Sequence, residues 1–227
     1  MKKILITATI FFCKSLFAYP KLYFTDAQPY DQVCMAGFDY AKLSADKKSP
    51  DNYDNLTKEA KSKITDFQNQ WDSVAPKLFA IMNREFKKDF KRTEYSAALS
   101  ICPDSPSMPK PFVLNISRYL KSYMSPKNAK DINQFTDVVF HELLHLWLFE
   151  NFNHETTIKK KYKNNGESVV NHIHLFAIES FVLEKADLLP IWNNTRDFIK
   201  TKGGPHLKAL NILEKEGRDK VLQELKQ

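Results

Sequence analysis

Two long segments without Gly or Pro, 131–150 and 167–188, constrain the fold more than any other feature of the sequence. In the first, Asp131-Ile-Asn-Gln134 has the form of a capping box, and the dense apolar pattern after it predicts a helix of about five turns. The second segment is apolar on nearly all sides, which is typical of a buried helix. We therefore expect two helices, joined by the polar stretch 151–166, that pack in the interior of the protein.

The remainder of the chain predicts a helix-rich α+β fold with a small antiparallel sheet. Apolar residues recur at steps of three to four positions over 55–90, which predicts an amphipathic helix that Pro76 divides into two. Strands are predicted at 94–102 and 111–117, on either side of a Pro-rich loop, and an antiparallel pair is the simplest arrangement. A final amphipathic helix is predicted over about 205–225.

The first 18 residues have the features of a signal peptide for export. Two lysines precede an apolar run over 4–12, and Ala18 offers a point of cleavage. The run is shorter than the roughly 20 apolar residues of a membrane helix, so we expect no stable membrane anchor. Residues 1–18 are therefore predicted to be removed, which leaves 19–227 as a single secreted or periplasmic domain. Its first part, 19–54, is rich in Pro, Asp and Asn and predicts an irregular segment.

The charge of the chain indicates which partners to expect, and its cysteine content indicates a disulfide. Removal of residues 1–18 takes away three lysines and no acid, which lowers the formal net charge from +7 to +4. The remaining lysines are scattered and are not interleaved with aromatic residues, so we expect no nucleic-acid partner. Cys34 and Cys102 remain, and an even pair of cysteines in an exported chain indicates a disulfide.

The predicted helix 131–150 contains His141-Glu142-Leu-Leu-His145. Histidines at positions i and i+4 lie on one face of a helix, one turn apart, where both rings can bind one Zn²⁺ ion. Glu142 lies about 100° around the helix from His141, in the position of a general base that acts on a bound water. Apolar neighbours on both sides of the motif turn both histidines towards the interior, where a polar ring requires a partner.

A zinc enzyme needs a third protein ligand, and the predicted buried helix offers three candidates: His172, Glu179 and His174. His172 and Glu179 are seven residues apart and share one helix face within roughly 20°, whereas His174 points away from both. Two arrangements follow. His172 binds the metal with support from Glu179, or Glu179 binds it with His172 as an outer hydrogen-bond donor. We favour His172, and we assign no role to His206.

The His141–His145 motif resembles that of the zincin metallopeptidases, and the later helix with a third ligand is similar to the gluzincin arrangement. This resemblance implies a two-lobed α+β fold, a cleft between the lobes, an edge strand that pairs with extended substrate, and hydrolysis of peptide bonds. One departure is evident. Gluzincins use a Glu as third ligand, often after Asn, whereas here Asn171 precedes His172. The surrounding sequence is also similar to uncharacterised secreted bacterial proteins that carry the motif.

The resulting expectation is an exported, monomeric zinc metallopeptidase that acts on a peptide or protein, with Glu142 as general base. The strand at 112–117 is the candidate for the substrate-binding edge, although it is equally compatible with a buried strand. Tyr162, His174 and Arg196 are candidate donors to the oxyanion. The alternative is a non-catalytic exported protein that keeps the metal site as a structural element, and hydrolysis of a non-peptide amide is a third option.

Overall fold

Helices form most of the described chain, and two of them carry the three histidines of the candidate site. The protein is represented by a computed structural model that describes residues 19–36, 53–102, 105–124, 129–152 and 155–226. The predicted signal peptide, 1–18, lies outside these residues. The described part of the chain has a helix-rich α+β architecture with one small mixed sheet.

The strands and α-helices are named in chain order. They are β1 (Lys21–Asp26), α1 (Gln28–Ala36), α2 (Tyr53–Phe86), β2 (Glu94–Ser100), β3 (Met108–Pro109), β4 (Phe112–Asn115), α3 (Phe135–Asn151), α4 (Thr157–Tyr162), α5 (Glu167–Lys185), α6 (Leu189–Lys202), α7 (Gly204–Glu216) and α8 (Arg218–Gln223). Short 3₁₀ turns lie at Ser117–Tyr119, Ile132–Gln134 and Lys163–Asn165. None of the described helices is long and apolar enough to span a membrane.

The sheet has the strand order β1-β2-β4-β3, and its directions differ from the prediction. The two predicted strands are present as β2 and β4, but they pair in parallel, so the prediction of a small antiparallel sheet was wrong. Parallel neighbours require a connection that returns along the sheet. The Pro-rich loop between β2 and β4 is long enough to return along the sheet. Part of it forms β3, which is the antiparallel partner of β4.

The segment predicted to be irregular contains both a strand and a helix. β1 alternates buried Leu22 and Phe24 with exposed residues, and it pairs in parallel with β2 along its whole length. In α1, the buried carboxylate of Asp31 accepts a hydrogen bond from Ser100 Oγ at 2.6 Å. α1 also brings Cys34 to disulfide distance from Cys102, with 5.9 Å between their Cα atoms. The N-terminal segment is therefore tied to the end of β2.

α2 is one continuous helix of 34 residues, with Pro76 in its interior, so the predicted division at this residue was wrong. Proline removes one backbone hydrogen bond from a helix and crowds the preceding turn. Trp71, Leu78 and Phe79, on both sides of the proline, are almost completely buried in the core. Burial of such large apolar side chains outweighs the loss of one hydrogen bond, and the helix continues.

The two helices predicted from the long apolar segments are α3 and α5, and they pack against each other. Asp131 caps the 3₁₀ turn that leads into α3, where its Oδ1 accepts a hydrogen bond from the backbone N–H of Asn133 at 2.9 Å. α5 is buried over most of its length, because α3, α6, α7 and α8 all contact it. The predicted C-terminal helix is divided into α7 and α8 at Gly217, whose φ of 84° is readily adopted by glycine.

Candidate metal centre

α3 presents two histidines on successive turns. The ring centroids of His141 and His145 lie 5.0 Å apart, and both side chains are partly exposed towards the same region. The neighbouring Phe140 and Leu144 are completely buried and fix the rotation of the helix. The histidine face of α3 is therefore held in place by the apolar core beneath it.

α5 brings His172 to this pair. Its ring centroid lies 5.4 Å from that of His141 and 4.9 Å from that of His145. One ligand atom from each of the three histidines lies within 4.8 Å of the others, so the group could hold a metal ion. Of the three candidates for the third ligand, His172 is the one that joins the two rings of α3, while Glu179 contacts His141 from behind.

The outer nitrogens of two of these rings already have partners. His141 Nδ1 lies 3.2 Å from Glu179 Oε2, and His172 Nδ1 donates to the backbone carbonyl of Ser168 at 2.6 Å. Hydrogen bonds of this kind fix the tautomer of a metal-binding histidine and orient its ring. In both residues Nε2 is the nitrogen that faces the other histidines and could bind a metal.

The electrostatics of the cluster also fit a cation. Burial raises the pKa of Glu179 well above its usual range and lowers the pKa of His141, His145 and His172 to about 3. Each shift reflects the cost of a charge at a site with little access to water. Within the described part of the chain, Oε1 of Glu179 is buried without a hydrogen-bond partner. A bound cation would stabilise the ionised form of this carboxylate, so the residues fit a metal ion.

Glu142 lies next to the cluster and faces a cavity. It is buried, and burial raises the pKa of its carboxyl to about 8, with an additional contribution from the nearby Glu179. Together with His141 it lines a cavity of about 660 Å³. Its carboxylate can therefore meet a water or a substrate that enters from this cavity.

His206, to which the sequence analysis assigned no role, lies at the same place. Its Nε2 is 3.1 Å from Nε2 of His172, and it lines the cavity together with His141 and Glu142. Because Nδ1 of a neutral His172 donates to Ser168, its Nε2 is an acceptor, and His206 must be the donor in this contact. The one sequence clue was its position in the first turn of the helix after the Gly-Gly-Pro break.

The other candidate residues lie elsewhere. His174 Nε2 contacts Glu224 at 3.0 Å and Thr156 at 3.4 Å, on a different side of α5 from the cluster. Tyr162 donates to Glu216, and neither Tyr162 nor Arg196 is among the residues that line the cavities at the histidines. The structure therefore does not bring any of the three candidate oxyanion donors, Tyr162, His174 and Arg196, into the cavity with Glu142.

A second cavity, of about 330 Å³, is lined by His145 and Asn171. Residues of the segment 105–110 line both cavities, so this segment follows the histidine cluster from one cavity to the other. Asn115 fixes the segment at its start, because its Nδ2 donates to the carbonyls of Cys102 at 2.6 Å and Ser105 at 2.7 Å.

The strand favoured as the substrate-binding edge is an interior strand. β4 pairs with β2 on one side and with β3 on the other, so the expectation that 112–117 forms a free edge was wrong. The edge beside β4 is occupied by β3, which also packs against α3. The chain segment 105–110, which includes β3, is therefore the extended backbone nearest to the histidines among the residues that line the cavities.

The site thus combines three converging imidazoles, a buried carboxylate and a fourth histidine at the mouth of two cavities. Its chemistry has to be inferred from these residues themselves. Comparison of the chain with protein-family models, with curated proteins and with solved structures finds no match.

Proposed function

We propose that this chain is an exported zinc-dependent metallopeptidase with His141, His145 and His172 as metal ligands. The observation that carries the proposal is the convergence of three ligand nitrogens next to Glu142, which lines a cavity together with His141. A purely structural metal site has no need of a carboxylate in this position, and closed zinc sites usually have four protein ligands. The pair Cys34 and Cys102 at disulfide distance is compatible with export.

Three imidazoles form a ligand set that suits zinc, and the partners of Nδ1 in His141 and His172 are typical of such ligands. Zinc bound by three histidines supplies a water of lowered pKa and polarises a carbonyl group. In this proposal Glu179 stays outside the ligand set and keeps His141 oriented. The departure from the gluzincin pattern is then a histidine in place of the third glutamate.

Glu142 would act as general base. Its carboxylate takes a proton from the water that attacks the peptide carbonyl and then gives the proton to the leaving amine nitrogen. The buried position of Glu142 excludes competing water, which strengthens its interaction with the reacting groups. His206 lines the cavity and its Nε2 lies 3.1 Å from the ligand nitrogen of His172, and we assign the N–H at this position to the oxyanion of the tetrahedral species.

The two cavities would accommodate the peptide on either side of the bond that is cut. The segment 105–110 runs along both of them, and an extended peptide can add to such a segment through main-chain hydrogen bonds. This assignment replaces 112–117 with the neighbouring segment as the substrate-binding backbone. Alternation of side chains along the bound peptide would then place every second one in a cavity.

A second candidate is a closed, non-catalytic site in which His206 is a fourth ligand. The 3.1 Å contact between Nε2 of His206 and Nε2 of His172 favours it, because two ligands of one ion are close neighbours. The two functions differ in what they require of Glu142. The enzyme needs its carboxylate, whereas a closed four-histidine site does not.

The test uses the mature chain, 19–227, purified without a histidine tag and loaded with one equivalent of zinc. Its activity on a mixture of unrelated peptides is followed by mass spectrometry, beside Glu142→Gln and the surface control Glu155→Gln. We expect Glu142→Gln to keep its zinc and to lose about 10²- to 10⁴-fold in rate, while the control matches the wild type. Zinc bound by a wild type that cuts no peptide would leave the non-catalytic site as the function.

A further inference from the structure

The larger cavity has a positively charged region in addition to the histidine cluster. Arg118 and Lys130 both line it, and both are partly buried. The guanidinium of Arg118 lies 5.6 Å from the ring centroid of Phe198, and Nζ of Lys130 lies 5.2 Å from it. The two cations therefore lie around one aromatic side chain in the wall of the cavity that also contains Glu142.

Neither cation forms an ion pair with a carboxylate in the described part of the chain. Among the described residues, no carboxylate lies within salt-bridge distance, 4.0 Å, of Arg118 or Lys130. Burial lowers the pKa of Lys130, and the positive charge of Arg118 lowers it further, while the carboxyl group of Asp137 acts in the opposite direction. Two like charges brought together in a partly buried position are unfavourable unless an anion joins them. The cavity thus lacks a negative charge at this position.

The acids of the same cavity do not supply that charge. Asp137 accepts a hydrogen bond from Thr195 at 2.6 Å, and burial raises the pKa of its carboxyl well above the usual range. Asp197 is mostly exposed and lies beside Arg196, with 3.7 Å between the charged atoms. An uncharged donor, by contrast, is available: the side-chain amide of Gln134 also lines the cavity.

The first two turns of α3 give a length scale for this cavity. Gln134, at the start of α3, and His141 line the same cavity, and seven residues of helix span about 10 Å. An extended peptide covers this length with about three residues. The cavity that Arg118 and Lys130 line with His141 is therefore long enough for several residues of an extended peptide.

From this arrangement we infer that Arg118 and Lys130 form a carboxylate-binding subsite, which selects peptides with a negative charge at one position away from the scissile bond. The inference rests on the proposed peptidase function, since it names the substrate class of the same cavity. A carboxylate matches the planar guanidinium of Arg118 in shape, and Lys130 adds a second charge-assisted hydrogen bond. The carboxylate belongs either to an acidic side chain or to the C-terminus of the substrate.

The test compares matched octapeptides on the zinc-loaded mature chain. In one arm each position carries Glu or Gln in turn, with both ends blocked; in the other the peptide is neutral and its C-terminus is free or amidated. We expect kcat/KM to rise at least about tenfold for a negative charge at one position, as a charge-assisted hydrogen bond allows. The arm that shows the rise identifies the source of the carboxylate.

Variants connect this preference to the two cations. In Arg118→Gln/Lys130→Gln the ratio between charged and uncharged peptides should fall to near one. Lys202→Gln is the matched control, because Lys202 lies 5.8 Å from the same Phe198 ring but is not part of the cavity lining. It should keep the wild-type ratio. A preference that survives in the double variant, or a wild-type preference for Lys over Glu, would overturn the subsite.

A binding measurement distinguishes failure of the subsite from failure of the peptidase proposal. Binding of the fluorescein-labelled Glu and Gln peptides to zinc-loaded Glu142→Gln is measured by anisotropy, which requires no turnover. Tighter binding of the Glu peptide, abolished by Arg118→Gln/Lys130→Gln, supports the subsite even if the wild type cuts no peptide. Equal binding of the two peptides, together with equal cleavage of both, excludes it.

Discussion

Glu179 on α5 lies 3.2 Å from Nδ1 of His141 on α3, and its carboxylate has no access to solvent. This contact links the two helices directly behind the ligand face. Glu179 was one candidate for the third ligand, and this contact gives it a different position. There its carboxylate can orient His141 and would balance the charge of a bound metal ion.

Glu179→Gln should therefore weaken zinc binding about 10- to 100-fold without abolishing it, because the amide oxygen still accepts a hydrogen bond but carries no charge. Zinc affinity is measured by competition with a chromophoric chelator. The control is Glu214→Gln, which removes an exposed carboxylate paired with Lys200. If Glu179→Gln bound zinc as tightly as the wild type, the carboxylate would have no part in the site.

His206→Ala separates the two roles of the fourth histidine. If His206 donates to the oxyanion, the variant keeps about one zinc per chain and its kcat falls about 100-fold. Lys208→Ala, an exposed residue of the same helix, should match the wild type. Loss of zinc from His206→Ala would instead make His206 a ligand and favour the closed site.

Glu216 should make stability depend on pH in the acid range. Its carboxylate accepts hydrogen bonds from Lys161 and Lys220, both at 2.6 Å, and from Tyr162, which lower its pKa to about 2. A pKa below the unfolded value of about 4.3 stabilises the folded state above pH 4.3, and this contribution disappears as the pH falls towards 2.

We therefore expect Glu216→Gln to be less stable than the wild type at pH 6 and to converge with it near pH 2. The measurement is the free energy of unfolding in urea at a series of pH values. Glu214→Gln is the control, because it removes an exposed carboxylate of the same helix that is paired with Lys200 and not with this cluster. A difference between Glu216→Gln and the wild type that did not change with pH would contradict the assignment.

The cysteine pair should contribute to stability through the length of the loop that it closes. Cys34 and Cys102 are 68 residues apart, and a crosslink over such a separation stabilises a fold by about 2 to 4 kcal/mol. Cys34→Ser/Cys102→Ser should lose that amount in urea unfolding. The wild type under reducing conditions should behave like the double variant, and equal stability of the reduced and oxidised wild type would show that no bridge forms.

The two helices of the site, α3 and α5, were predictable because their signal is local. The apolar periodicity that defines α3 and α5 and the faces that carry His141 and His172 follow from residues a few positions apart. The directions of the strands were not predictable in this way. They depend on the path of the Pro-rich loop, and a two-residue strand such as β3 leaves almost no pattern in the sequence.

The positions of His206 and of the positively charged region of the cavity could not be predicted from the local sequence either. α7 packs against α5, and this contact alone brings His206 to His172, 34 residues earlier in the chain. Arg118 lies in the 3₁₀ turn Ser117–Tyr119, and it is close to Lys130 because the backbone N–H of Lys130 donates to the carbonyl of Arg118 at 2.8 Å. Each residue has an unremarkable local sequence, so its role becomes visible only through contacts distant along the chain.

The side-chain amide of Asn115 holds the carbonyls of Cys102 and Ser105 in place. This would affect the free energy with which the proposed substrate binds. A cavity wall fixed in this way has already lost its conformational freedom during folding, so a peptide that pairs with 105–110 has little of the protein left to order. Without this anchor, part of the interaction energy would be spent on immobilising the wall. Residence times of bound peptides would then be shorter, although every contact between peptide and protein remained the same.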